Sequence, residues 1–179
     1  MRTNQFNPVA PVNVYVALGS NLGNPSKQIL QAIQEIKKLP ESTLLACSKF
    51  YKSAPMETTD NTAQADYVNA VVLIETQLDA HILLHALQKI ECDHGRVRGA
   101  QRWGPRTLDL DILLYGDQIL NTDELTIPHI GISERDFVLI PLSDINSDLY
   151  IPEKGHLPDL LARGKSHQLE ILEDGVPNV

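Results

Sequence analysis

RWGPRTLDLDILLYGD, residues 102–117, sets two aspartates inside an apolar run. Aspartate is depleted in strands because its short side chain competes with the ladder for backbone hydrogen bonds. Yet residues 107–116 have the length and the flanking turn residues of a strand. Side chains alternate along a strand, so Asp109 and Asp111 share one face and Leu108, Leu110 and Ile112 the other. The leucine face belongs to a core. The aspartate face needs something positive beside it, since like charges on one sheet face repel. The chain supplies that immediately upstream: Arg96, Arg98, Arg102 and Arg106 fall within eleven residues, interleaved with Gly95, Gly99 and Gly104.

The surrounding elements follow from periodicity and punctuation. Residues 13–20 (NVYVALGS) read as a strand ending near Gly19. Pro25 opens a helix whose apolar residues Ile29, Leu30, Ile33, Ile36 and Leu39 recur at three and four positions, and Pro40 stops it. Residues 43–53 read as one strand, 54–66 as a long polar loop and 67–76 as a third strand. Residues 79–95 form an amphipathic helix with Asp79 as its cap and Gly95 as its stop. The arginine loop 96–106 then leads into the aspartate strand, a hairpin turn follows at Gly116, and Ser133 signals the start of a further helix. The order β-α-β-β-α-β predicts an α+β, ferredoxin-like antiparallel sheet with helices on one face. One domain spans 1–179, with residues 1–12 as a flexible arm and 146–179 as a C-terminal extension.

Composition narrows the function classes. The hydrophobic fraction of 42% is that of an ordinary globular chain. A formal charge of −8 and a pI near 5.1 argue against nucleic-acid binding through a basic surface. A local basic pocket for an anionic ligand stays open. Cys47 and Cys92 are too few for a disulfide framework and lack metal-ligand spacing. The N-terminus has no apolar stretch of a secretory signal, and no run nears the roughly 20 apolar residues that span a bilayer. The expectation is a cytoplasmic protein with no membrane or nucleic-acid partner.

Arginine forks match phosphate oxygens bidentately. Mg2+ is commonly held by one or two carboxylates together with substrate phosphates and water. A Mg2+-bridged polyphosphate therefore resolves both charge problems. Trp103, the sole tryptophan, offers a face to a base or simply packs within the loop. No phosphate-binding P-loop is present, and GSNLGN (19–24) lacks dinucleotide-fingerprint spacing. His81 and His85 stand four apart on a helix, but apolar neighbours favour a structural or exposed role. Asn69 is an unusual polar choice in a strand; its amide suits a polar heterocycle. From composition alone Tyr67 and Phe137 are core aromatics. Two other classes also fit a carboxylate pair or a sheet of this type: a metal-dependent nucleotidyl cyclase or polymerase palm, and a ligand- or RNA-binding module.

The string RWGPRTLDLDILLYG, with VALGSNLGN, FYKSAPM, DYVNAVV and TIPH…RDFVLIPL, closely resembles the 6-hydroxymethyl-7,8-dihydropterin pyrophosphokinase family of folate biosynthesis, over about residues 14–145. The resemblance implies a ferredoxin-like monomer that moves the pyrophosphoryl group of ATP onto the hydroxymethyl of a reduced pterin, releasing AMP. It implies that Asp109 and Asp111 bind two Mg2+ ions and that Arg96 and Arg106 act on the phosphates, assisted by Arg98. Glu91, Trp103, Ile112, His129 and Arg135 match positions around ATP. Ser53, Ala54, Met56, Tyr67, Asn69 and Phe137 match the pterin site. Gly99 stands where some members carry lysine, Ile130 where an aromatic is frequent, and Ser53-Ala54 where some have Thr-Pro. No residue resembles an activated nucleophile, so no covalent enzyme intermediate is expected. Residues 54–66 and 95–106 are expected to close over the substrates and exclude water.

Overall fold

The computed structural model describes residues 10–55, 64–96, 106–164 and 169–172. Strand β1 (Val12–Ser20) is followed by helix α1 (Pro25–Ile36), β2 (Ser42–Cys47), β3 (Phe50–Ser53), β4 (Tyr67–Thr76), helix α2 (Ala80–Asp93) and β5 (Asp109–Tyr115). All pairings are antiparallel, and the strands lie in the order β3-β4-β1-β5 with β2 also on β4. That is the ferredoxin-like arrangement, in which each βαβ unit leaves a gap that the other fills. Val12 pairs with Thr76, so it belongs to the sheet and not to the arm expected over 1–12.

The helix signals act as the sequence dictates at their starts. Asn24 caps α1 by accepting from the Lys27 N–H at 3.1 Å, with Pro25 in the first turn. Asp79 caps α2 through the His81 N–H at 2.8 Å. Ile29, Ile33 and Ile36 of α1 and Leu83, Leu87 and Ile90 of α2 are buried against Val14, Val16 and Leu18 of β1 and Leu110 and Ile112 of β5. Each fully buried side chain of this size contributes about 1.5–3 kcal/mol.

The stretch expected to be one strand over 43–53 is two. Its break lies at Ser48, whose N–H donates to the Val71 carbonyl at 2.9 Å while its hydroxyl accepts from the Val71 N–H at 2.9 Å. The side chain thus takes the place of a backbone acceptor, and the strand shifts past an extra residue.

Beyond β5 come the short pair β6 (Leu120–Asn121) and β7 (Thr126–Ile127), helix α3 (Asp136–Ile145), the pair β8 (Tyr150–Ile151) and β9 (Gly155–His156), helix α4 (Leu157–Arg163) and β10 (Glu170–Leu172). The capping signal at Ser133 does not start α3: Arg135 occupies the cap position, with no side-chain cap bond. Helices α3 and α4 cover the sheet face opposite α1 and α2. Val138, Leu139, Leu142, Leu157 and Leu160 pack there on Tyr15, Val71, Leu113 and Leu114. Strand β10 adds to the free edge of β3, with Ile171 opposite Tyr51. Among the described residues no helix is long and apolar enough to cross a membrane.

Candidate active site

The second helical layer covers its sheet face only in part, and the uncovered end is a cavity of about 350 Å³. The register explains what lies on its floor. Gly19 of β1 stands between Asn69 of β4 and Asp109 of β5, and Ala17 stands beside Asp111. All five positions face away from α1 and α2 because they share the pleat parity of Tyr15 and Val71. A Cβ on Gly19 would lie 3.6 Å from the Asn69 Oδ1, an ordinary contact. Glycine is therefore not forced sterically; it leaves room between an amide and a carboxylate.

Ten residues expected in the site line this cavity together: Ser53, Ala54, Tyr67, Asn69, Arg106, Asp109, Asp111, His129, Arg135 and Phe137. At the charged end, Arg106 Nη1 donates to both Asp109 oxygens, at 2.9 and 2.8 Å. Arg96 Nη1 lies 2.6 Å from Asp109 Oδ1 and also pairs with Glu91. Glu91 does not line the cavity. It is buried behind β5, where its carboxylate accepts from the Leu110 N–H at 2.7 Å. Burial pushes Glu91 up to about 7, against the Leu110 N–H and the Arg96 charge. One buried carboxylate thus fixes both the strand and the guanidinium that serves it.

Asp111 is held differently. His129 Nε2 lies 3.8 Å from its Oδ2, and the His129 Nδ1 accepts from the Gly131 N–H at 3.1 Å. That acceptor role leaves the ring proton on Nε2, facing the carboxylate. The His129 N–H donates to the Leu113 carbonyl at 3.0 Å, which seats the imidazole against β5. Enclosure in the cleft raises the Asp111 pKa, and the charge of Asp109 raises it further, while His129, Arg96 and Arg135 oppose. Its side chain keeps 41% exposure, so the enclosure is that of a cleft and not of a dry core.

The other end is less charged. The Asn69 amide donates to Ser53 Oγ at 2.9 Å and, more weakly, to the Tyr51 carbonyl at 3.4 Å. This fixes the amide so that Oδ1 points over Gly19. Phe137, in the first turn of α3, lies with the Arg135 guanidinium carbon 5.9 Å from its ring centroid. Burial raises the Tyr67 phenol, Arg106 lowers it and Asp109 raises it, so it stays neutral.

Ile112 is not in the cleft. Its side chain lies in the core on the α1/α2 face, as its parity with Leu110 requires. Met56, Arg98, Gly99 and Trp103 lie outside the described residues, as do residues 56–63 and 97–105 on which the expected closure depends.

Two residues that sequence reasoning passed over hold the cleft together. Ser20 Oγ donates to the Thr107 carbonyl at 2.6 Å. Asn21 accepts the Arg106 N–H on its Oδ1 at 2.8 Å, and its Nδ2 donates to the Ala65 carbonyl at 3.2 Å. Both are buried, and they tie the ends of two long loops to the turn after β1. The available signal was a polar pair directly behind a strand, in the segment GSNLGN.

Among the described residues there is no group of three or more His, Cys, Asp or Glu side chains able to hold a metal. The donor set is two carboxylates. That fits Mg2+ shared with substrate phosphates and does not fit a metal held by protein alone.

Comparison with known proteins gives a consistent picture. The model of the 7,8-dihydro-6-hydroxymethylpterin-pyrophosphokinase family matches residues 15–147. A 2-amino-4-hydroxy-6-hydroxymethyldihydropteridine pyrophosphokinase of Haemophilus influenzae is 46% identical over 158 residues, 88% of this chain and 96% of that one. One of the same name from Pseudomonas aeruginosa is 50% identical over 149 residues, 83% of this chain and 90% of that one. Among solved structures, a Plasmodium falciparum HPPK-DHPS chain superposes with a TM-score of 0.67 at 12% identity, covering 91% of this chain and 47% of the longer one. That last likeness speaks to the fold alone.

Proposed function

The chain belongs to the 7,8-dihydro-6-hydroxymethylpterin-pyrophosphokinase family and transfers the pyrophosphoryl group of ATP to 6-hydroxymethyl-7,8-dihydropterin in folate biosynthesis; from that premise we propose how its residues divide the work. Arg96 and Arg106 bind the phosphates of ATP, and Asp109 and Asp111 hold two Mg2+ ions. The observation that supports this division is the double use of Asp109. Its oxygens now hold both guanidinium groups, at 2.6 to 2.9 Å. A polyphosphate offers the same forks a better bidentate partner. Drawing the arginines onto phosphate leaves Asp109 and Asp111 side by side, a negative pair that fits a divalent cation. Bound Mg2+ would supply charge stabilisation at the phosphate oxygens.

His129 and Arg135 flank the nucleotide, with the Nε2 proton of His129 turned toward Asp111. Glu91 serves from behind by orienting Arg96. Asn69, Ser53 and Tyr67 take the polar edge of the pterin, Ala54 lines its pocket, and Phe137 stacks on its ring. Transfer then consists of positioning the hydroxymethyl oxygen in line with the β-phosphorus and neutralising the AMP oxygen that leaves. Met56, Arg98, Trp103 and Ile112 enter this reading through family resemblance only, Ile112 through its backbone.

The family resemblance favours a monomer. Cys47 and Cys92 are both free thiols, in keeping with a reducing cytoplasm. The deciding measurement is AMP formation at varied Mg2+, with and without the reduced pterin. AMP appearing only with both supports the reading. Pyrophosphate or a cyclic nucleotide as product, or AMP formed equally without Mg2+, overturns it.

A further inference from the structure

The arginine loop leaves α2 through a corner that the backbone specifies tightly. Gly95 takes a left-handed φ of +82°, its N–H donates to the Cys92 carbonyl at 2.9 Å, and the Arg96 N–H donates to the Glu91 carbonyl at 3.0 Å. These paired bonds are a Schellman ending. They set Arg96 relative to α2 but do not fix where the end of α2 points. That task falls to His94, the cap residue, whose side chain is only 7% exposed. Its Nδ1 lies 2.6 Å from Gln28 Oε1, and its Nε2 donates to Glu35 Oε1 at 3.2 Å. Gln28 and Glu35 are two turns apart on one face of α1. No part of the proposed reaction uses this ring, which sits between helices on the sheet face opposite the cleft.

We propose that His94 is a positioning residue for the transfer. By fastening the last turn of α2 to α1, it holds the pivot one residue before Gly95 and so sets whether the Arg96 guanidinium reaches Asp109. The inference rests on Arg96 serving the phosphates, as argued above. Misplacing such a group by about 1 Å costs up to roughly 100-fold in rate. The tether acts on one arginine of the cleft and leaves Asn69 and Phe137 untouched, so turnover and not pterin binding should carry its effect.

The test is a double-mutant cycle on the full chain, reading AMP formation from ATP and the reduced pterin with Mg2+. His94→Ala should lower kcat about 10-fold with the pterin KM changed less than about twofold. His94→Gln, which retains a donor toward Glu35, should recover most of the loss. In an Arg96→Ala background, His94→Ala should add less than about a twofold loss. Thermal melting of every variant identifies any that does not fold at the assay temperature, and Glu35→Ala, which removes the acceptor, then replaces His94→Ala in the cycle. The same fold-loss in both backgrounds, a change confined to KM, or a lowered melting temperature with kcat intact overturns the proposal. Failure of the unaltered protein to form AMP would instead strike the Arg96 reading beneath it.

Discussion

Leu110 and Ile112 on one face of β5 differ by a single step along the chain from Asp109 and Asp111 on the other, yet the two faces obey different rules. The leucine face meets α1 and α2 in a continuous apolar core. The aspartate face meets a layer that stops short, leaving a cleft. On the first, the side chains of β5 are chosen for packing. On the second, enclosure in the cleft raises the Asp111 pKa and the like charge of Asp109 beside it raises it further, a local cost that no core requirement explains. Strain of this kind, in a strand otherwise built for burial, marks where binding energy is to be released.

The largest expected effect breaks the aspartate face. Asp109→Ala or Asp111→Ala should lower AMP formation by roughly 1,000-fold or more. Asp111→Ala should do so with an unfolding midpoint unchanged or raised, since it removes a repelled charge. A coupled AMP assay and a thermal melt on the same samples read both. The leucine face should respond the other way. Ile112→Ala should cost about 3 kcal/mol in denaturant unfolding, with kcat per folded molecule nearly intact. Loss of kcat at full folding would show that the two faces are not separable.

Glu91 joins the two faces, since it is buried behind β5 and pairs with Arg96. Its pKa is raised from 4.5 to about 7 by burial, so the folded state binds more protons than the unfolded state between those values. Stability should therefore fall as pH rises from about 4.5 to 7 and level off above, by on the order of 3 kcal/mol. Unfolding curves for Glu91→Gln should lack this slope, and equal slopes would place the titration elsewhere. The smallest effect sharpens the comparison at its edge. Asp79→Ala removes the α2 cap and should cost about 1 kcal/mol by chemical denaturation, leaving catalysis unchanged.

Much of this was legible in the sequence because period-2 alternation is a local signal. The parity of Asp109 and Asp111 against Leu110 and Ile112 was readable directly, and so were the Asp79 and Gly95 ends of α2. The same rule also excluded the Ile112 side chain from the cleft, a consequence that family resemblance concealed. What stayed hidden depended on distant partners. The break at Ser48 needs Val71 across the sheet to reveal it. The roles of Ser20, Asn21 and His94 lie in contacts to segments far along the chain. The cover by α4 rests on weakly patterned residues whose packing surface is assembled only by the fold.

Strand β10 closes the outer edge of β3, the strand that ends at Ser53. The sheet on that side is thus completed by a segment that leaves the ribosome long after the strand it joins. A nascent chain halted before residue 170 would present an open ribbon, inviting a neighbour's strand instead. Safety of that edge from aggregation is therefore acquired only late in synthesis.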